Sequence, residues 1–444
     1  MFKKVLIANR GEIALRIIDA CHHLGIQTVA MFSEADRNSL HARMADEAYC
    51  IGPPPANQSY LNIAQVMSVA EVTGADAVHP GYGFLAENSH FVEVCEDSDL
   101  KFIGPRADIM EATGDKLKAK AAAQKAGVPL IPGSELIKTE EQLLAEVEKI
   151  GYPVLLKASS GGGGRGMRMV DDPEKLTKEF HAAQREAHAS FGRSDVYAER
   201  LLLNPRHVEV QILADEHGHV VHMGDRDCSV QRRYQKLIEE APAFGLPEEM
   251  QDEIRKAAVK VAKSLDYTNA GTVEFLVEND EFYFIEMNAR IQVEHPVSEM
   301  LVGKDLIAEQ IRVAAGQELG YTQKQIRLEG HAIECRINAE DPSKDFMPST
   351  GDLTLEQLPT GHGVRWDSGV FGGMKVTPFY DSLIGKLITW GPDREQARRR
   401  MLSALRKLKL KGIATTRELC QEIVNHQAFT NHTHTTDFID SLLG

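Results

Sequence analysis

Lys157 closes the apolar stretch 154–156. It is followed by Ala158, two serines, four consecutive glycines at 161–164, and then Arg165, Gly166, Met167 and Arg168. Consecutive glycines pack nothing. They leave backbone N–H groups free and let the chain come close to a ligand. With a lysine before the run and arginines after it, the chemistry it suits is the cradling of phosphate by a cationic flap. It is not a Walker A loop, because no Gly-Lys-Ser/Thr follows at the required spacing. A flexible surface hairpin is the bland alternative.

A second constellation runs from Gly271 to Pro296. Two β-rich stretches flank a polar turn near Asn279, Asp280 and Glu281, which reads as a hairpin. Residues two apart on a strand share a face. Glu286, Asn288, Arg290, Gln292 and Glu294 therefore form a file of hard oxygen ligands, a cation and a carboxylate. Hard oxygens suit Mg²⁺ or Mn²⁺ held together with a nucleotide. Glu274 joins that face only if the turn has an odd length. A two-residue turn pairs it with Ile285, and a three-residue loop at 279–281 pairs it with Glu286. We expect the three-residue loop. A solvated strand face is the competing reading.

Three further stretches carry weaker signals. The run 225–236 places Arg226, Arg232, Arg233 and Lys236 within twelve residues of an acidic chain. The sequence His79-Pro-Gly-Tyr-Gly-Phe-Leu-Ala-Glu-Asn88 follows a strand signal, at the sheet edge where ligands of open α/β sheets gather. Glu334-Cys-Arg336 reads as a strand ending in a turn. Two features are read as decoys. Met374-Lys375 resembles part of a biotinylation site, but Val376 follows it. His426, His432 and His434 could suggest a metal, but they lie in a polar Asn/Thr stretch that reads as a solvated tail.

The elements that must position these groups begin with alternation. Strand signals at 5–8, 27–32, 75–79 and 101–103 alternate with helical spacing, as at 12–24. This is the rhythm of a doubly wound α/β unit. Its first turn holds one glycine, so a dinucleotide site there is not expected. Residues 111–130 read as one helix, 133–203 as a small α/β lobe, and the rest as strands followed by helices. The chain has 444 residues, 65 acidic against 50 basic, and a net charge of −15. That balance argues against nucleic acid or an anionic membrane as the main partner. No apolar stretch approaches a membrane span. The N-terminus reads as a first strand rather than a signal peptide. Six scattered cysteines without a CxxC fit reduced thiols in the cytoplasm.

Taken in order, IANRGEIALRI, HPGYGFLAEN, FIGP, TGDK, KASSGGGGRGMR, NPRHVEVQ, RDCSVQRR, FIEMNARIQVEHPVSE, ECRINAEDP and PFYDSLIGKL resemble biotin carboxylase, the ATP-grasp component of biotin-dependent carboxylases. The resemblance covers essentially the whole chain. It implies an α/β ATP-grasp fold with an N-terminal doubly wound α/β domain over 1–114. An ATP-grasp domain over 115–330 would follow, with a mobile lid lobe at about 131–203, and then a C-terminal α+β domain over 331–444.

The resemblance also implies roles. Glu294 matches the base that deprotonates bicarbonate. Lys236 and Arg290 match the cations that hold it, with Gln292 and the Val293 backbone beside them. Arg336 matches the arginine that stabilises the biotin enolate, and Tyr82 and Gly83 lie near the biotin ring. Glu274, Glu286 and Asn288 match metal ligands for Mg²⁺ or Mn²⁺. Lys116, Lys157, Gly162, Gly163, Gly164, Arg165, Gly166 and Met167 match contacts to ATP phosphates. Glu199, Arg200, Leu201, Leu202, His207, Gln231 and Leu276 match the adenine and ribose pocket, with Glu274 and Glu286 also counted as nucleotide contacts. Arg200 replaces a usual lysine and Tyr234 a common histidine. The expected activity is ATP- and bicarbonate-dependent carboxylation of biotin on a separate biotin carboxyl carrier protein, within a complex that includes carboxyltransferase subunits, with acetyl-CoA carboxylase as the expected whole; the alternatives are the subunit of a pyruvate, propionyl-CoA or other acyl carboxylase, or a different ATP-grasp carboxylate-amine ligase. A homodimer is implied, and Asp19, His23 and His362 depart from the arginine, glutamate and phenylalanine of the family's interface, while Arg365 is kept.

Overall fold

The computed structural model describes residues 1–158, 167–191 and 194–443. The loop glycines 162, 163, 164 and 166, and Arg165, lie outside the described residues.

The N-terminal strands form a parallel sheet in the order Glu47–Cys50, Gln27–Phe32, Lys4–Ile7, Ala77–His79, Lys101–Phe102. Helix Gly11–His23 covers it with Ile13, Ile17, Ile18 and Cys21, the apolar stripe its spacing predicts. The strand order turns back at Lys4–Ile7, and the segments leaving there and leaving His79 meet. The Asn9 amide donates to the carbonyls of Pro80 and Tyr82 at 2.6 and 2.7 Å. Gly81 sits at φ 62°, and a Cβ there would stand 2.9 Å from the Asn9 amide nitrogen. Only glycine lets the turn close this tightly.

The single helix expected over 111–130 is two, Ala107–Gly114 and Lys116–Lys125. Asp115 breaks it: its carboxylate accepts from the N–H groups of Leu117 and Lys118 and starts the second helix. That cap sets Lys116 and Lys120 one turn apart on one face. Next comes a small lobe. Strands Met167–Val170, Val154–Ala158 and Val196–Arg200 form one sheet, with helices Glu140–Ile150 and Leu176–Phe191. Leu143, Val147, Leu156, Phe180 and Val196 give it a core of its own.

The scaffold of the site is an antiparallel sheet of eight strands. Its order is Glu281–Asn288, Asn269–Glu278, Arg206–Ala214, Val220–Arg232, Gln235–Ala241, His331–Asn338, Leu383–Gly391, Val364–Ser368. One ladder thus runs from the hairpin of residues 269–288 to strands beyond residue 330. The hairpin departs from expectation in an instructive way. Its turn has two residues, Asn279 and Asp280, both left-handed at φ 51° and 64°, as a tight twisted turn requires. Glu274 nevertheless faces Glu286, because a bulge at Ile285 inserts the missing residue. The file expected from 286 to 294 also stops being a strand at Asn288. Residues 289–294 are a loop that delivers Glu294 to the start of helix His295–Val302.

The C-terminal helices Arg394–Lys407 and Arg417–Asn425 pack on this sheet through Met401, Leu405 and Ile423. The histidine stretch is no solvated tail. His434 is 2% exposed and stacks on Phe429 at 5.3 Å. Five cysteines are buried, Cys50 is exposed, and all six are free thiols. Among the described residues no helix is long and apolar enough to cross a membrane.

Candidate active site

One cavity of about 1020 Å³ opens between the parallel sheet, the small lobe and the eight-stranded sheet. Twenty of the residues singled out from sequence line it. From the first sheet come Tyr82 and Gly83; from the helix and lobe, Lys116, Lys157, Met167, Arg200, Leu201 and Leu202. The large sheet supplies His207, Gln231, Lys236, Glu274, Leu276 and Glu286, then Asn288. The loop after it supplies Arg290, Gln292, Val293 and Glu294, and the strand His331–Asn338 supplies Arg336.

At the centre stands Lys236, the second residue after a tight turn at Arg233 and Tyr234, both left-handed. Its amine donates to Glu209 at 2.6 Å, Glu294 at 2.7 Å, and Glu274 and Gln292 at 3.1 Å each. Burial alone would lower the lysine pKa. The carboxylates of Glu209, Glu274 and Glu294 outweigh burial and hold it well above the usual range. Glu294 is equally committed. One oxygen takes Lys236, and the other takes the Arg336 guanidinium at 2.8 Å. Burial disfavours its charge, but Lys236, Arg336 and Arg226 together keep its carboxyl well below the usual range. It also sits at a helix N-terminus, which favours an anion.

The expected metal ligands behave differently from one another. Glu274 accepts from the Asn288 and Gln292 amides at 2.9 and 2.8 Å and lies 3.0 Å from His207 Nε2. Glu286, facing it across the ladder, makes no hydrogen bond among the described residues. Burial, and then the charge of Glu274, push its carboxyl up. Two opposed carboxylates, one without a partner, beside an amide oxygen, fit a divalent cation with oxygen ligands. Arg290 is aimed by Glu87 at 2.9 Å and by the Asn288 side chain at 3.1 Å.

Toward the lobe, Glu199 is buried between two amines, with Lys157 at 2.5 Å and Lys120 also bonded to it. The Arg200 guanidinium bonds the Tyr283 hydroxyl and lies 5.1 Å over its ring. Tyr234 is 64% exposed at the cavity rim.

Sequence reasoning gave Glu209, Lys120 and Glu87 no role of their own and noted Arg226 only as one cation of a basic run. Glu209 is fully buried and accepts from Arg226 at 2.5 Å as well as from Lys236. Arg226 is itself fully buried and spends its other nitrogens on Gln211, Ser298 and Thr272. A signal existed for Glu209: His207, Glu209 and Gln211 alternate with valine and isoleucine on one strand. Lys120 was legible only once the Asp115 cap put it below Lys116.

The fold agrees with what known proteins show. Three family models match in tandem: biotin carboxylase, N-terminal domain, over 1–110; carbamoyl-phosphate synthase L chain, ATP binding domain, over 115–322; and biotin carboxylase C-terminal domain over 334–441. A biotin carboxylase from Nostoc sp. is 53% identical over 99% of both chains. The chain belongs to the biotin carboxylase family. It is an ATP-grasp ligase of mixed α/β fold, with a parallel sheet in its N-terminal part. A pyruvate carboxylase subunit of Methanothermobacter thermautotrophicus is 52% identical over 99% of this chain and 90% of that one. The solved biotin carboxylase domain dimer of 2-oxoglutarate carboxylase from Hydrogenobacter thermophilus superposes with a TM-score of 0.93. It is 48% identical, covers 99% of this chain and 98% of that one, and holds MgADP, ADP and bicarbonate.

Proposed function

We propose that this enzyme carboxylates biotin carried on a separate carrier protein, using MgATP and bicarbonate through carboxyphosphate, as the first half-reaction of an acetyl-CoA carboxylase in the cytoplasm. The observation that carries the chemical part is the net of Lys236, Glu294 and Arg336 beside the Glu274–Glu286 pair, in one cavity.

Glu294 is the base, and its cations regulate it. While Lys236 and Arg336 both hold it, the carboxylate is too stabilised to take a proton readily. Bicarbonate that enters between Lys236 and Arg290 draws on Lys236, one of those two cations. Sharing it raises the basicity of Glu294 just as its substrate arrives. The proton passes from bicarbonate to Glu294, and the bicarbonate oxygen bonds to the γ-phosphorus as the bond to ADP breaks. Lys116 and Lys157 neutralise the phosphates, in a reaction that depends on positioning and charge. Glu274, Glu286 and Asn288 would hold a divalent cation, which would supply charge neutralisation for the phosphates when bound. Carboxyphosphate then breaks to CO₂ and phosphate, phosphate takes the ureido N1′ proton of biotin, and the enolate attacks CO₂. Arg336 faces the enolate oxygen in an oxyanion-hole role. The small lobe, with its own core, closes over ATP as a lid and keeps water from carboxyphosphate.

The test is ADP release from the purified protein with MgATP and bicarbonate, with and without free biotin. Turnover that needs bicarbonate and rises with biotin supports the reading. Turnover stimulated by an amine and indifferent to biotin and to carrier would identify a different ATP-grasp ligase. The acceptor is tested by adding transferase partners with acetyl-CoA, pyruvate or 2-oxoglutarate. Transfer to either of the last two would move this enzyme into the company of the relatives named for them.

A further inference from the structure

Three neighbouring strands, Gln235–Ala241, His331–Asn338 and Leu383–Gly391, turn four ionisable groups onto one face of the large sheet. Glu239 stands directly opposite Glu334, and Arg336 directly opposite Lys386. Glu334 and Arg336 are two apart on their strand, so they share that face. Glu239, Glu334 and Lys386 are wholly buried.

The cations here are all spoken for. Arg336 Nε donates to Glu239 at 2.6 Å, and its Nη2 donates to Glu294 at 2.8 Å. Lys386 gives its amine to the Val293 carbonyl at 2.9 Å and to Glu12 at 3.1 Å. Lys236 is occupied by Glu209, Glu274 and Glu294. Glu334 is left over. Neither of its oxygens has a hydrogen-bond partner, and the second oxygen of Glu239 is also unpartnered. An ionised carboxylate without a partner is very costly in a dry interior. Two such groups facing each other cannot both stay charged, and the one bonded to an arginine is the one that keeps its charge.

We propose that Glu334 is a neutral carboxylic acid whose O–H serves the free oxygen of Glu239, and that this pair is a positioning device that fixes Arg336 between Glu294 and the biotin enolate. The inference rests on the role given to Arg336 above. It adds a residue that touches no substrate and acts through another. The groups facing Glu334 are Lys386, Glu239, Arg336 and Glu294; those facing Glu239 are Arg336, Glu294 and Lys236. Burial, reinforced by Glu239, pushes Glu334 well above the carboxylate range, whereas the Arg336 guanidinium opposes the same effect of burial on Glu239.

Glutamine at 334 keeps a donor of the same shape, and leucine removes it at similar volume. The expected result is that E334Q keeps kcat/KM for biotin within about twofold of the parent, whereas E334L loses about tenfold or more, the scale of one buried charge-assisted hydrogen bond. MgADP binding by both variants serves as the check that they are folded. The parent should lose kcat/KM for biotin at alkaline pH as Glu334 ionises, and E334Q should lack that limb. The infrared carbonyl stretch of protonated carboxylic acids should lose one group's intensity in E334Q relative to the parent. Equal activity losses in the two variants, full activity in a folded E334L, or an unchanged band in E334Q would each overturn the proposal. The band needs no turnover, so it tests the proton even if biotin-dependent activity is missing and the functional reading fails.

Discussion

Glu294 is held by two cations on opposite oxygens, which makes it the residue where charge and catalysis are most tightly joined. Glu294→Gln keeps the shape of the side chain but removes the base. Biotin-dependent ADP release should fall by about 10²-fold or more, the usual worth of a general base, with little change in thermal unfolding. Arg336→Ala should abolish biotin carboxylation as well. Full activity in both variants would remove them from the site. Glu286 makes a different prediction. It has no hydrogen bond among the described residues, and Glu274 repels it. Glu286→Gln should therefore relieve strain in the apo protein and raise its melting temperature slightly. The same change should weaken Mg²⁺-dependent nucleotide binding, by at least the roughly 10- to 100-fold that loss of an outer-shell partner costs. Isothermal titration with MgADP, against ADP in chelator, reads this directly.

Elements are tied together by one buried carboxylate more than by any surface pair. Glu240, on Gln235–Ala241, accepts from Arg394 at 2.5 and 3.0 Å and lies 2.8 Å from His331 Nε2, so strand, helix and neighbouring strand meet on it. Burial opposes its charge, but His331 and Arg394 prevail and hold its carboxyl down to about 2. A depressed carboxylate contributes stability that is complete above its unfolded value, near 4.3, and is lost as pH falls through the folded value. The parent should thus lose about 3 kcal/mol of stability between about pH 5 and pH 2 from this group, and Glu240→Gln should have lost it already at pH 7. Denaturant melts at several pH values would show the two curves converging in acid; parallel curves would dismiss the group. Element by element, the sequence was readable where one residue decides a local choice. The strands of the parallel sheet and the Gly81 turn are of that kind. It was unreadable where two local signals combine. Asn279-Asp280 spelled a two-residue turn, and the bulge at Ile285 restored the facing of Glu274 and Glu286 that was expected from a three-residue loop. Nothing in Ile285 itself announces a bulge. The pairing of Glu209 with Arg226 was hidden for a related reason, since charges buried at 0% exposure are rare and each is intelligible only with its partner.

At the scale of the whole molecule, two arginines join the first helix to the C-terminal part of the chain. Arg365 is bonded to Asp367 at 2.6 and 2.8 Å and to Glu299 at 2.7 Å, and Arg16 reaches Glu299 and Asp305 at 3.0 and 2.5 Å. These arginines brace helix Gly11–His23 against the C-terminal strands. Outside that brace lie Asp19 and His23, 64% and 70% exposed in their side chains and only 3.9 Å apart on one helix face. His362 is exposed as well. The resemblance to the family implies a charge pair and an aromatic anchor at these positions, where this chain has an aspartate and two histidines, and a net charge of −15 adds repulsion between copies. We therefore expect a dimer that dissociates in the micromolar range and tightens with salt, because screening relieves that repulsion. Sedimentation velocity over a concentration series measures it. Restoring the pattern with Asp19→Arg, His23→Glu and His362→Phe together should tighten association about tenfold or more, on the scale of one aromatic anchor and one rim ion pair. A dimer already tight in the parent, and unmoved by the triple change, would place the contact between copies on another face and free Asp19, His23 and His362 from any part in it.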